Sequence, residues 1–400
     1  MIIEPKVRGF ICTTAHPLGC EARVIEQINY ALQQPKLPKK YKNVLIIGAS
    51  TGYGLASRIV ASIAGANTLG VFFEREAMDK RTASAGWYNT AAFEKYAHQA
   101  GLYARSINGD AFSAALKQQV IDCIRQDLNG KVDLIIYSLA APRRQDANGV
   151  VYSSTLKAID RTFKEKTVDI VTGIVSEVEI APATEAEIQG TIKVMGGEDW
   201  ALWIEALIEA DVLAPQATSL AYSYIGPEMT YPIYWHGTIG KAKEDLQNTS
   251  RDLNDLLAKH CQGRAFISVN KGLVTQASAA IPVVPLYISL LYKIMKEKNT
   301  HEGCIEQMWR LFRDHLYSDA PVLDSDNRIR LDDLELCDDV QQRILELWPQ
   351  IQTDNLEEVT DIVSFRREFY QLFGFAVDSI DYTLDVDINV PIPSIHLETV

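Results

Sequence analysis

A tyrosine and a lysine nine residues apart, Tyr234 and Lys243 in YWHGTIGKAK, are the residues of this chain best suited to acting on a polarised oxygen. A free phenol ionises at about pH 10, so a tyrosine that shares its proton at neutral pH benefits from a nearby cation that stabilises the phenolate. Lys243 is a candidate for that cation. Nine residues at about 100° each would place the two on opposite faces of one helix, so Tyr234 must precede the helix and Gly237 and Gly240 must mark the bend. A second pair, Tyr292 and Lys296, has Y-x-x-x-K spacing and would share a helix face. It lies in YISLLYKIMKEK, whose apolar face and lysine-rich end also describe a buried helix that finishes at the surface.

The pair needs a partner, and a glycine-rich turn far upstream supplies one. In GASTGYG, residues Gly48, Ala49, Ser50, Thr51, Gly52, Tyr53 and Gly54 follow the apolar run NVLII and precede an amphipathic stretch. Glycines at a strand-to-helix junction let backbone N–H groups approach a pyrophosphate at the helix N-terminus. The spacing resembles the G-x-x-x-G-x-G turn of the short-chain dehydrogenase/reductase superfamily. Glu74 closes the second apolar run, twenty positions after Gly54, where an acid accepts hydrogen bonds from adenosine ribose hydroxyls and repels a 2′-phosphate. This predicts NADH rather than NADPH, with Arg75 able to soften the discrimination, and Phe73 joins Glu74 among the expected cofactor contacts. Asp110 and Ala111 follow the third run, and Leu139 and Ala140 end the fourth; all four fall at carboxyl ends of strands, where open α/β sheets bind ligands.

The elements that position these residues alternate from Asn43 onward. NVLIIG, TLGVFFE, YARSIN and VDLIIYSLA read as buried strands, separated by helices over Leu55 to Gly65, Asn89 to Gly101 and Phe112 to Leu128. Continuous apolar strands alternating with helices predict a doubly wound parallel sheet, an α/β fold of Rossmann type. Thr167 to Ile180 reads as added strands, and a capping box from Thr184 to Glu187 opens a helix. SLAYSYIG and AFISVN resume the sheet. We therefore expect one compact body: a dinucleotide-binding core over 1–145 and 215–300, a substrate-covering insertion over 146–214, and a mainly helical C-terminal region over 301–400.

Composition limits the classes of function. The 400 residues are 47% hydrophobic and 23% charged, with a formal charge of −13, which argues against non-specific binding to nucleic acid or an anionic membrane. The tract from Ala277 to Tyr292 is interrupted by Pro282 and Pro285 and is too short to span a bilayer, which takes about 20 apolar residues. MIIEPKVRGF lacks the pattern of a secretory signal, and six scattered cysteines read as reduced thiols, so a cytoplasmic protein is expected. Cys12, His16 and Cys20 have C-x-x-x-H-x-x-x-C spacing but no fourth metal ligand follows, so no metal is expected. His236 lies beside the pair as a candidate proton relay, and Glu198 and Asp199 fit the start of a helix.

Taken in order, RGFICTTAHPLGCE, GASTGYG, GWYNTAAF, INGDAF, YSLAAPRR, MGGEDW, the Y-x8-K pair, LVTQASAAIP, THEGCIEQ and FGF resemble the FabV-type enoyl-acyl carrier protein reductases and the related trans-2-enoyl-CoA reductases, over essentially the whole chain. The resemblance implies hydride transfer from NADH to the β-carbon of an enoyl thioester, with Tyr234 donating a proton or hydrogen bond to the developing enolate. It implies that Lys243 holds the cofactor and supports the tyrosine, that Tyr224 contacts substrate, and that Leu273, Val274 and Thr275 contact the cofactor. The carrier is left open between acyl carrier protein and coenzyme A, with Lys293, Lys296 and Lys298 as a candidate patch for an acidic carrier protein. A monomer is expected. A carbonyl reductase using Tyr292 and Lys296, or a non-catalytic NADH-binding regulator, are the rival readings.

Overall fold

The computed structural model describes residues 1–395 apart from Phe10 and Asp319. Phe10 of the N-terminal motif and residues 396–400 of the expected helical region therefore lie outside the described residues. A short antiparallel pair, β1 (Val7–Arg8) and β2 (Ile11–Cys12), leads into α1 (Pro17–Gln33). The alternation then follows the sequence reading: β3 (Asn43–Ile47), α2 (Gly52–Ile63), β4 (Asn67–Phe72), α3 (Ala85–Gln99), β5 (Ala104–Asn108), α4 (Ala114–Asp127) and β6 (Val132–Tyr137). Two antiparallel hairpins come next, β7 (Arg143–Gln145) with β8 (Val151–Ser153) and β9 (Phe163–Val168) with β10 (Val175–Ile180). They are followed by α5 (Glu185–Met195), α6 (Glu198–Glu209), β11 (Leu213–Ser223), α7 (Thr238–Cys261), β12 (Arg264–Val269) and α8 (Val284–Glu297). The chain continues through α9 (Cys304–Leu311), β13 (Arg328–Arg330), α10 (Asp338–Leu347), α11 (Leu356–Val359) and α12 (Ile362–Gln371).

Seven strands form one parallel sheet in the order β13-β12-β11-β6-β3-β4-β5. The chain starts in the middle, at β3, and winds outward in both directions, which is the Rossmann arrangement with its reversal of direction between β3 and β6. Burial on both faces explains the continuous apolar runs. Val44 and Ile46 enter one hydrophobic cluster with α2 and α9, while Leu45 and Ile47 enter another with α4 and α6.

Two details depart from the sequence expectation. Helix α6 falls within the span 146–214, yet it is the crossover from β6 to β11, and Trp200, Trp203, Ile204 and Leu207 are buried against the sheet. Strand β13, in the C-terminal region, adds a seventh strand through Ile329, which is fully buried. Arg328-Ile329-Arg330 is too short and too charged to register as a buried strand, because its pairing with β12 supplies the context that the local residues lack.

A third cluster lies over the carboxyl end of the sheet. It joins α8, α10 and α12 with Phe163 and Val168 of the β9–β10 hairpin, and it contains Tyr234, Leu273 and Val274. Pro285 sits in the first turn of α8, where its missing N–H leaves no hydrogen bond unmade, so the proline-interrupted tract becomes a buried helix.

Candidate active site

The glycine turn is shaped by close approaches. Gly48 has φ +89° at the end of β3, and a Cβ there would lie 2.3 Å from the Ser138 carbonyl oxygen beyond β6. A Cβ on Gly54 would lie 1.9 Å from the Gly48 carbonyl oxygen, so the first turn of α2 folds directly onto the turn that precedes it. Gly52, at φ +53°, opens α2, and the Thr51 side chain makes no capping hydrogen bond. The first amides of α2 remain available to an anionic group. Thr275 approaches from the loop after β12, its Cγ2 methyl 3.9 Å from where a Gly52 Cβ would be, while Leu273 and Val274 beside it are buried.

Ser50 and Glu74 meet across this turn, the Ser50 hydroxyl donating to Glu74 Oε1 at 2.6 Å. The other Glu74 oxygen has no hydrogen-bond partner among the described residues, which leaves an acceptor for a ribose hydroxyl. Helix α3 supports the arrangement from below. Asn89 donates to the Ser50 carbonyl at 3.2 Å, and a Cβ on Gly86 would lie 2.0 Å from Glu74 Oε1. Asn89 and Gly86 were not singled out in the sequence, although both lie in GWYNTAAF. Phe73 is 79% exposed beside Glu74. Asp110 caps its own turn by accepting from the Phe112 amide at 3.0 Å, Ala111 is buried, and Leu139 and Ala140 follow β6 half-buried and exposed.

Tyr53 differs from a simple cofactor contact. Its hydroxyl donates to the Lys271 carbonyl at 2.7 Å and accepts from Gln307 at 3.0 Å, so its side chain ties α2 to the loop after β12 and to α9. Lys271 is itself buried, its ammonium 5.1 Å from the Tyr292 ring centroid.

At the end of β11 the tyrosine and lysine are positioned as the spacing required. Tyr234 lies in a turn before α7 and Lys243 lies on α7. The Tyr234 carbonyl accepts from the amides of Gly237 and Gly240, at 3.1 and 3.0 Å. A Cβ on Gly240 would lie 1.7 Å from the Trp235 carbonyl oxygen, and one on Gly237 would lie 2.4 Å from that of Ile233. The two glycines therefore let the tyrosine turn pack back against the helix it precedes.

Tyr234 is only 7% exposed, yet its hydroxyl makes no hydrogen bond among the described residues. Burial raises its ionisation above the ordinary tyrosine range, so it is a neutral O–H donor at physiological pH rather than a phenol poised to ionise. The Lys243 ammonium contacts the Tyr222 carbonyl at 3.5 Å, has no carboxylate partner among the described residues, and is pushed down to about 8 by burial. A phenolate stabilised by direct lysine contact is thus absent from this arrangement. Tyr224 packs edge-on against Tyr234, ring centroids 5.1 Å apart at 72°, and donates to Glu335 at 2.9 Å.

The other candidates are engaged elsewhere. Tyr292 is fully buried, donates to Glu368 at 2.7 Å and accepts from the Val274 amide at 3.2 Å, while Lys296 pairs with Asp361 at 2.8 Å. Lys298 pairs with Asp339, whereas Lys293 donates only to the Glu358 backbone carbonyl, so two of the three lysines of the candidate patch are ion-paired and Lys293 has no carboxylate partner among the described residues. His236 is exposed and stacks edge-on with Tyr231, centroids 5.4 Å apart, away from a relay position. His16 caps α1, its Nδ1 accepting from the Gly19 amide, and no cluster of metal-ligating side chains occurs among the described residues. Glu198 pairs with Arg144 and Lys193, and Asp199 with Lys117, at the start of α6.

Comparison with known proteins agrees with this geometry. Residues 2–79 match the family model described as the NAD(P)H binding domain of trans-2-enoyl-CoA reductase, and residues 81–317 match its catalytic region. Residues 323–386 match a model described as an enoyl reductase FAD binding domain. The residues there do not fit a flavin: Phe365, Phe369, Phe373 and Phe375 are buried in the cluster around α8. The one glycine of that span, Gly374, abuts the start of α1, where a Cβ would lie 2.4 Å from the His16 carbonyl oxygen. An enoyl-[acyl-carrier-protein] reductase [NADH] of Coxiella burnetii is 61% identical over 99% of this chain and 98% of its own length. A trans-2-enoyl-CoA reductase [NADH] of Clostridium perfringens is 58% identical over 97% of this chain and 100% of its own. The crystal structure of a Clostridium acetobutulicum trans-2-enoyl-CoA reductase in complex with NADH superposes with a TM-score of 0.94, at 44% identity, covering 97% of this chain and 98% of that one. With matches of this extent, the chain belongs to the trans-2-enoyl-CoA reductase family.

Proposed function

We propose that this protein reduces the trans-2 double bond of enoyl thioesters with NADH, giving saturated acyl thioesters in the last reductive step of fatty acid elongation. One observation carries the residue assignment: Tyr234 is buried at the carboxyl edge of the sheet with a hydroxyl that no group among the described residues uses. NADH, when bound, supplies a hydride. The uncapped N-terminus of α2 receives its pyrophosphate, and the free oxygen of Glu74 accepts from the adenosine ribose, with Ser50 fixing that carboxylate. Leu273, Val274 and Thr275 border the cofactor from the loop after β12, and the cation of Lys243 holds it near Tyr234.

As the β-carbon of the substrate gains a hydride, the electrons of the double bond move toward the thioester oxygen. Tyr234 donates its O–H hydrogen bond to that oxygen and stabilises the enolate, a contact stronger in the transition state than in the ground state. The α-carbon then takes a proton from water and the product is saturated. Tyr224 holds one side of Tyr234 and lines the substrate site, and the β9–β10 hairpin and α8 wall the acyl channel. The protein acts as a monomer in the cytoplasm, a location that fits its six free cysteines.

The direct test follows NADH absorbance with matched acyl-carrier-protein and CoA thioesters, crotonyl-CoA first. Turnover is expected with NADH, and kcat/KM for NADPH is expected to be lower by about tenfold or more because Glu74 repels a 2′-phosphate. Tight NADH binding without oxidation in the presence of either thioester would defeat the proposal in favour of a regulatory protein.

A further inference from the structure

Glu335 is a buried carboxylate in the segment after β13, and it joins three parts of the molecule at the reacting edge. Its Oε1 accepts from Tyr224 at the end of β11, at 2.9 Å, and from Tyr287 of α8, at 2.7 Å. Its Oε2 accepts from the Gly272 amide in the loop after β12, at 2.6 Å. Gln341 of α10 donates to the Glu335 carbonyl at 2.7 Å and to the Tyr287 hydroxyl at 3.3 Å. Glu335 is 0% exposed and sits at a junction with no acyl or nucleotide group of its own to bind.

Two glycines keep this junction open. A Cβ on Gly226, at φ +76°, would lie 3.0 Å from the Tyr224 hydroxyl, and one on Gly272 would lie 3.1 Å from that hydroxyl and 3.3 Å from Glu335 Oε1. The space around the contact is thus shaped so that a hydroxyl and a carboxylate meet without crowding. Fixing the Tyr224 hydroxyl fixes its ring, and that ring lies edge-on against Tyr234. A charge-assisted hydrogen bond of this kind is shorter and stronger than a neutral one, so it suits the holding of an aromatic ring in one rotamer.

We propose that Glu335 is a positioning residue for the reaction, acting through the Tyr224 hydroxyl to hold the Tyr224 ring against Tyr234 and so to aim the Tyr234 O–H at the thioester oxygen. This rests on the enoyl reductase reading above. It gives the C-terminal region, which carries no residue assigned to chemistry, a mechanical part in catalysis.

The test compares Glu335→Gln, Tyr224→Phe and the double variant in the NADH-coupled crotonyl-CoA assay, with thermal unfolding as the check on folding. Glutamine keeps the shape of glutamate but cannot accept at both oxygens, so either the Gly272 amide or the tyrosine pair faces a donor. Glu335→Gln is expected to lower kcat by roughly tenfold and to raise KM for NADH by less than that, since the Tyr224 contact lies at the substrate side while the Gly272 amide leads into the cofactor loop. The double variant is expected to be no slower than the slower single variant, because both break one connection. Gly272→Ala, which crowds the same contact without removing a charge, should lower kcat in the same direction and carries the test if Glu335→Gln fails to accumulate as folded protein. Unchanged kcat in a folded variant, fully additive losses, or a loss confined to KM for NADH would each overturn the proposal. Wild-type protein that does not oxidise NADH overturns the enzyme reading and this proposal with it, whereas normal wild-type turnover with an unaffected Glu335→Gln overturns this proposal alone.

Discussion

Two buried tyrosines, each with a lysine downstream, occupy opposite situations. Tyr292 on α8 is saturated: its hydroxyl lies between Glu368 and the Val274 amide, its ring receives the ammonium groups of Lys271 and Lys296, each 5.1 Å from the centroid, and Lys296 is neutralised by Asp361. Tyr234 is open: its hydroxyl has no partner among the described residues, and Lys243 reaches only a backbone carbonyl at 3.5 Å. Buried polar groups in a stable interior are ordinarily paired, since leaving one unmade costs about 1–3 kcal/mol. The Tyr234 hydroxyl is not among the solvent-inaccessible unpaired groups, so it stays open to a ligand, and with the uncommitted Lys243 ammonium it marks the candidate site. A phenol and an ammonium each matched to a carboxylate are the signature of packing. Y-x-x-x-K spacing picks out the carboxylate-matched pair here because it reports only a shared helix face.

The most severe way to break the contrast is Tyr234→Phe. With the enolate's hydrogen-bond donor removed, kcat is expected to fall by about 10²–10³-fold with little change in stability. Retention of wild-type kcat by folded Tyr234→Phe would transfer the chemistry to another group.

A pH series sharpens the role of the lysine. Burial depresses Lys243 from the ordinary lysine range to about 8, so its cation is present below that pH and lost as pH rises through it. kcat/KM for NADH is expected to decline above about pH 8 by about tenfold per unit. Lys271, also lowered to about 8 by burial, titrates in the same window, so Lys243→Arg assigns the decline: an arginine stays charged and should flatten it. Folding stability moves the other way, because between about pH 8 and the higher value of an unfolded lysine the unfolded chain binds more protons, and stability rises with pH. An alkaline decline that persists unchanged in Lys243→Arg would assign it to another group.

The mildest effect is expected at the saturated tyrosine. Tyr292→Phe removes its hydrogen bond to the half-buried Glu368 carboxylate and should lower stability by about 1–3 kcal/mol, read by urea unfolding, while turnover stays within a few-fold of wild type. Loss of turnover comparable to that of Tyr234→Phe would reverse the comparison and restore the carbonyl reductase reading.

Much of the fold was legible in the chain because its signals are local. NVLII, TLGVF and VDLIIY are dominated by apolar residues and rich in β-branched ones, and Thr184 with Glu187 forms the capping box that the sequence announces. The glycine turn was equally readable, since Gly48 and Gly54 answer steric demands within a few residues and across to β6. Glu335, Asn89 and strand β13 carry no comparable local mark. A lone glutamate in LDDLELC looks like a solvated acid, and it becomes a buried junction only because β11, α8 and the loop after β12 converge on it.

By itself the sequence determined the order of strands and helices, the glycine turn, the acid after the second strand, and the break between Tyr234 and Lys243, all of which depend on residues near one another along the chain. Tertiary structure alone decided which of the two tyrosines kept an uncommitted hydroxyl, that burial makes Tyr234 a neutral donor rather than an ionised one, and that Lys296 and Lys298 are ion-paired. The physical reason is the same for each: a side chain's protonation and availability are set by desolvation and by partners brought from distant segments, and neither can be read from spacing.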